Sequence, residues 1–240
     1  MSSSTEILIV GPGRLGRCMD RWLRAAGREV RLIGRGEPIP TAPITWLTVP
    51  DRSIVEVAAA IPPKTILLHA SGAFELDPLE PHQRIGSLHP LMTFTGTENR
   101  DDLPAEIPAA IGGCPAAQEA AISIAQSIGM QPFFFDGDRR IYHAAAVLSG
   151  NFATVLFARA ADLLSTQGFS SSEARTILGP LVTQSILNAI KAEPDQILTG
   201  PVARGDDKVI KNHLAAIDET APEIRALYEI LLTNAKDLLA

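Results

Sequence analysis

With 240 residues, of which 46% are hydrophobic, the chain is long enough to form one large domain or two modest ones, each with a real core. Its 21 basic and 27 acidic residues leave a formal charge of -6 and are scattered without long blocks, which argues against a nucleic-acid or anionic-membrane surface and for a small-molecule ligand. Cys18 and Cys114 show no CxxC or disulfide spacing, and "MSSSTE" has neither the basic start nor the apolar core of a secretory signal, so a reducing, cytoplasmic location is expected.

The first half alternates short β-branched runs with helical stretches. Ile7 to Val10 reads as a strand and Arg14 to Ala26 as a helix ended by Gly27. Val30 to Ile33 is the second strand and Ile44 to Val49 the third; the stretch between them, about ten residues rich in Pro and Gly, is too short for a crossover helix. A short helix from Arg52 to Ala60, stopped by Pro62 and Pro63, leads to a fourth strand at Thr65 to His69. Further strands are expected at Gly86 to Leu88, Ile107 to Ile111 and Pro132 to Phe135, with a helix from Pro115 to Ile128 before the last. This alternation predicts an α/β fold, a mostly parallel sheet with helices on both faces. From Arg139 onward only helices are legible, over 139 to 167, 171 to 191, 206 to 218 and 222 to 239, with "SSSE" at 170 to 173 as a capping signal for the second. The boundary is expected at Asp136 to Asp138, giving an α/β domain over 1–136 and an all-helical domain over 137–240. Ile141 to Ala158 lacks formal charge over a length approaching a membrane span, but His143, Ser149, Asn151 and Thr154 interrupt it, and it reads as a buried helix of a soluble domain.

"ILIVGPGRLG" runs from the first strand into Gly11, Gly13 and Gly16 at the start of a helix. Gly11 allows a tight turn, Gly13 lets backbone approach a pyrophosphate and Gly16 allows close helix packing, while the helix N-terminus offers free N–H groups and a partial positive charge. In that context the motif predicts a Rossmann-like dinucleotide site in which Gly11, Gly13, Arg14, Leu15 and Gly16 meet the cofactor. The second strand of such a unit usually ends on an acid that binds the adenosine ribose; here the chain reads Gly34, Arg35, Gly36. A guanidinium at that place suits a 2′-phosphate, so NADP(H) is expected over NAD(H), with Arg14 reaching the same phosphate or the pyrophosphate.

Two further stretches end strands, where ligands of an open α/β sheet collect. "TVPD" puts Val49 and Pro50 beside the nicotinamide half, with Asp51 as a helix cap, and "HASGAF" places Ser71 and Gly72 in a loop facing it. His89, before Pro90 in "SLHPLMTF", is a candidate for touching substrate. In the helical half, His143, Val147, Gly150 and Asn151 fall on one face of a single predicted helix, which either looks onto the nicotinamide or packs closely through its small residues. In "TGPVARGD", Gly200, Pro201 and Asp206 have capping and stopping roles, which leaves Arg204 as a candidate clamp for a carboxylate or phosphate. His213 shares the apolar side of its helix with Val209, Ile210, Leu214 and Ile217 and is expected in the core. No HExxH or other metal-ligand spacing and no GxSxG elbow is present.

"GPGRLG", "TVPD", "HASG", "SLHPLMTF", "YHAAAVLSGN" and "GPVARGDD...HL" together resemble a family of Rossmann-like oxidoreductases whose C-terminal half is a domain of unknown function, number 2520, over nearly the whole chain. More distantly, "AAVLSGNFATVLF" is similar to the LSGSGPA-containing helix of pyrroline-5-carboxylate reductase, and the architecture is similar to the 3-hydroxyisobutyrate and 6-phosphogluconate dehydrogenase superfamily. The resemblance implies NADP-dependent reduction by a homodimer joined through the helical domain, which closes the active site over the nicotinamide. Two departures stand out: Val147 occupies the place of the hydroxyacid dehydrogenases' catalytic lysine, and Gly150, Asn151 and Phe152 replace the reductase's small SGP turn.

The expected activity is therefore reduction of a small carbonyl or imine compound, with His143 as proton donor, Asn151 orienting substrate or polarising the acceptor, and Arg204 clamping an anionic group. The alternatives are a non-catalytic NADP(H)-binding sensor or partner-binding protein that kept the fold after losing the lysine, and an oxidoreductase whose partner is a deazaflavin.

Overall fold

A computed structural model describes residues 5–239. In chain order the first part contains β1 (Ile7–Val10), α1 (Arg14–Ala25), β2 (Val30–Ile33), β3 (Ile44–Leu47), α2 (Ile54–Ala59), β4 (Ile66–His69), β5 (Ile85–Pro90), β6 (Ile107–Gly113), α3 (Pro115–Ser127) and β7 (Met130–Phe134). The seven strands form one sheet of order β2-β1-β3-β4-β5-β6-β7, parallel except where β5 meets β6. The α/β expectation holds, and the antiparallel pair is the feature that the strand runs do not announce. All four residues of β1 are buried, as in a strand covered on both faces. One face packs Ile7, Ile9, Trp46 and Leu68 against α1 and α3; the other packs Leu8, Val10, Leu47 and Leu67 against α2. Alanines carry the α3 contact, with Ala117, Ala121 and Ala125 fully buried, so the helix lies close to the sheet.

Several boundaries differ from the sequence reading. The third strand stops at Leu47, the last one covers Met130–Phe134, and Asp51–Ser53 forms a 3-10 turn before α2. No helix joins β2 to β3, as the short Pro- and Gly-rich connection requires.

The expected helix over 139 to 167 is divided into α4 (Arg139–Val147), a π-helical turn (Leu148–Phe152) and α5 (Ala153–Ser165). After it come α6 (Ser171–Ala189), the short α7 (Pro194–Ile197), α8 (Asp207–Thr220) and α9 (Arg225–Asp237). Ser170 and Glu173 close the capping box that "SSSE" predicts. The change from strands to helices falls between Phe134 and Arg139, whereas the contacts divide the chain into compact units Met1–Gly150 and Asn151–Ala240, so α4 belongs to the first unit. In the second unit α5 packs on α6, and Ile217, Ala221 and Ile224 form a small core with Leu163 and Tyr228.

Burial of the Ile141 to Ala158 stretch is corrected. The run Arg139–Ser165 is long and apolar enough to cross a membrane, with a mean hydropathy of 1.4 in its most apolar window, and none of that window is buried within the chain. Ile141 is 70% exposed and Phe152 55%. Apolar composition signals that a surface seeks burial without naming what covers it.

Candidate functional site

The site begins where the winding of the sheet reverses. β2 and β3 flank β1 on opposite sides, and in such sheets ligands collect at the carboxyl ends of the strands beside the reversal. The chain leaves β1 through Gly11, whose φ of 115° lies in the region that favours glycine and whose Cβ, if present, would sit 2.9 Å from the Thr48 carbonyl. The Thr48 hydroxyl donates to the Gly11 carbonyl at 2.7 Å, tying the end of β1 to that of β3. A Cβ on Gly16 would strike that same Gly11 carbonyl oxygen, so α1 packs on the turn only with glycine there. Gly13 is different: the nearest atom to an added Cβ is 3.9 Å away, so the fold itself leaves its surroundings open. Among the described residues no side chain caps the start of α1, which leaves its first-turn N–H groups without a side-chain partner at the positive end of the helix dipole.

These residues border a groove of about 710 Å³ whose lining includes Gly11, Gly13, Gly34, Arg35, Val49 and Pro50. Arg35 is exposed and its guanidinium has no partner among the described residues. Glu37 also lines the groove, and its Oε1 accepts the Gly34 N–H at 2.7 Å.

A second cluster stands at the ends of β4 and β5, still within the first unit. His89 shares a 2.8 Å hydrogen bond between Nδ1 and the Tyr142 hydroxyl, with the rings edge to face. Gly72 lies against both histidines: a Cβ there would come within 2.9 Å of His143 Cδ2 and of His89 Cε1. The two imidazole centroids are 6.4 Å apart. Burial, with help from the charge of Arg139, pushes His89 down to about 4, and burial raises Tyr142. Near neutral pH both are therefore uncharged, and the imidazole carries a single ring hydrogen. His89 Nε2 makes no hydrogen bond among the described residues and lies beside Gly72, 3.0 Å from where a Cβ there would sit.

Behind the histidines lies Arg139, which is buried, forms no ion pair among the described residues and donates to Ser87 Oγ at 3.0 Å and to the Ser71 carbonyl at 2.8 Å. Burial lowers its pKa, and its charge helps to hold His69 and His89 neutral. Ser71 is the hub of the β4 loop: its hydroxyl donates to Asp51 at 2.8 Å and accepts the Ala73 and Phe74 N–H groups. Asp51 therefore holds this loop and makes no side-chain cap, contrary to its expected role.

A family model described as "Domain of unknown function (DUF2520)" matches residues 107–235, more than half of the chain. The chain belongs to this family. No curated protein matches it. Among solved structures, the DUF2520 chain is similar to a Bacteroides fragilis protein provisionally named an NADP oxidoreductase, at 22% identity and a TM-score of 0.83 over 98% of this chain and 99% of that one. It is also similar to an Aspergillus terreus reductive aminase in complex with NADPH and ethyl-5-oxohexanoate (18%, TM-score 0.65, 98% of each chain). A Plasmodium falciparum pyrroline carboxylate reductase with NADP bound is 14% identical, with a TM-score of 0.62 and 99% of each chain covered. At these identities the likeness shows the shared Rossmann-like fold.

In this DUF2520 member the groove brings together Gly11, Gly13, Arg35, Val49 and Pro50. Arg14 is exposed at the start of α1 with its stem against Gly96, and Leu15 packs on the core. Gly72, His89 and His143 meet in the second cluster. Asn151 is exposed in the π-helical turn, so the regular spacing that put it on one face with His143 does not run through. Arg204 is exposed in the turn that Gly200 and Gly205 shape, and Asp206 caps α8 as expected. His213, expected in the core, is exposed and bonded to Tyr228. Tyr142, Arg139 and Glu37 escaped the sequence reading. Only Glu37, in a Gly-flanked turn after the second strand, left a signal there.

Proposed function

We propose that the chain is an NADP(H)-dependent oxidoreductase that reduces a small carbonyl or imine compound by hydride transfer. The observation that carries this reading is the groove at the ends of β1 and β3, where N–H groups of α1 without a side-chain cap, the open Gly13 and an Arg35 unpaired among the described residues stand together. Amide donors at a helix N-terminus suit a pyrophosphate, and a guanidinium suits a 2′-phosphate. The NADPH and NADP held by two of the similar structures support the same cofactor.

Across the sheet the ends of β4 and β5 carry Gly72 and His89, and α4 brings His143 against them. A bound nicotinamide would supply the hydride. The chain's own part is to accept the substrate between the histidines and to deliver a proton, with His143 as donor and with the Tyr142 phenol donating to His89 Nδ1, so that the Nε2–H of His89 donates to the acceptor atom. Asn151 is proposed to polarise the acceptor and Arg204 to hold an anionic group of the substrate. The exposed apolar side chains of the π-helical turn, α5 and α6, among them Phe152, Val155, Ile177 and Leu181, support pairing with a second copy as a cytoplasmic homodimer.

The test is turnover. The protein is mixed with NADPH and panels of small keto acids, aldehydes and cyclic imines, and loss of reduced-nicotinamide absorbance is followed. Consumption that depends on one substrate class and falls at least tenfold in His143→Gln supports the proposal. Tight NADPH binding with no consumption across the panels replaces it with a binding-only role.

A further inference from the structure

The adenosine end of the groove holds an acid that the strand end lacks. Gly36, at φ 83°, turns the chain back so that Glu37 reaches over the end of β2, where its Oε1 accepts the Gly34 N–H. A Cβ on Gly34 would lie 3.2 Å from that oxygen and 3.3 Å from the Pro12 ring. The carboxylate thus occupies the space that the usual strand-end acid would take, and a side chain at position 34 would displace it. Arg35 and Glu37 line one groove, and Glu37 is exposed, with no hydrogen bond to its second oxygen among the described residues.

The two side chains ask for different ligands. A guanidinium attracts a phosphate, whereas a carboxylate accepts from ribose hydroxyls and repels a phosphate dianion. We infer that Glu37 is a second specificity determinant, binding the hydroxyls of an unphosphorylated adenosine ribose and opposing a 2′-phosphate, so that the NADPH preference set by Arg35 is held down and NADH remains a ligand. This rests on the proposed dinucleotide site.

The experiment is calorimetric titration of NADPH and NADH into the wild-type protein, Arg35→Ala and Glu37→Gln. Glutamine keeps an oxygen for the Gly34 N–H and removes only the charge, so the turn survives. The expected result is about tenfold tighter NADPH binding in Glu37→Gln, weaker NADH binding, and an NADPH gain that shrinks as salt is raised. Arg35→Ala is expected to move the ratio the other way. If Glu37→Gln leaves the NADPH-to-NADH ratio unchanged while both cofactors bind, Glu37 only closes the turn and this inference is overturned. If neither cofactor binds the wild type, the proposed dinucleotide site falls as well.

Discussion

Two of the five histidines are held neutral in a place where protonation would oppose folding, and acid should therefore loosen the first unit. His69 is fully buried at the end of β4, accepts the Ser71 N–H on Nδ1 and titrates at about 3; His89 titrates at about 4. Burial is the main cause for both, followed by the charge of Arg139. In the unfolded chain both should titrate near 6.5, so below that value the unfolded state binds more protons and stability falls as pH falls. From pH 7.5 to pH 5 each group loses roughly 2 kcal/mol, with a slope that approaches about 1.4 kcal/mol per unit below pH 6.5, and the pair loses about 4 kcal/mol. The carboxylates of Glu98 and Asp138, lowered to about 2, lose their contribution mainly below pH 5 and stay out of this window. Trp22 and Trp46 are the chain's only tryptophans and both are buried in the first unit, so their fluorescence in urea reports that unit alone. The midpoint should drop sharply between pH 7.5 and pH 5. The drop should largely disappear in His69→Asn/His89→Asn, which keeps an acceptor near each Nδ1. An equally steep pH dependence in the double variant would refute the reasoning.

Gly16→Ala drives a methyl group into the Gly11 carbonyl and should cost about 1–3 kcal/mol or more in the same urea assay, with loss of cofactor binding. Gly13→Ala has room in the fold and should leave the midpoint nearly unchanged while weakening NADPH binding at least tenfold by calorimetry. Tyr142→Phe keeps the ring packed 4.8 Å from Phe135 and removes only the bond to His89; nitrogen NMR should show the wild-type His89 in a single Nε2–H tautomer and the variant leaving it, and an unchanged tautomer would deny Tyr142 that role. Charged substitutions at Phe152 and Leu181, read by light scattering, should convert a dimer into monomers; a wild type that is monomeric at micromolar concentration would remove the dimer proposal.

The α/β half was legible because its signals are local. β-branched runs, three glycines at fixed spacing and a short Pro-rich connection each constrain a few neighbouring residues, and the groove assembles from just these pieces. What escaped depends on contacts between distant segments. Tyr142 meets His89 across 53 positions, Arg139 reaches Ser71 across 68, and neither pairing leaves a periodic trace. The helical half misled in another way: apolar spacing gave the helices, but the π-helical turn at Leu148–Phe152 broke a face that regular spacing assumes, and exposed apolar side chains read as core.

The most direct test is a crystal structure of the protein grown with NADP⁺. The account predicts a dinucleotide along the carboxyl ends of the strands, its pyrophosphate on the N–H groups at Gly13, its 2′-phosphate at Arg35 and its nicotinamide beside Gly72, His89 and His143. A dinucleotide bound elsewhere, or a nicotinamide turned away from both histidines, would contradict it.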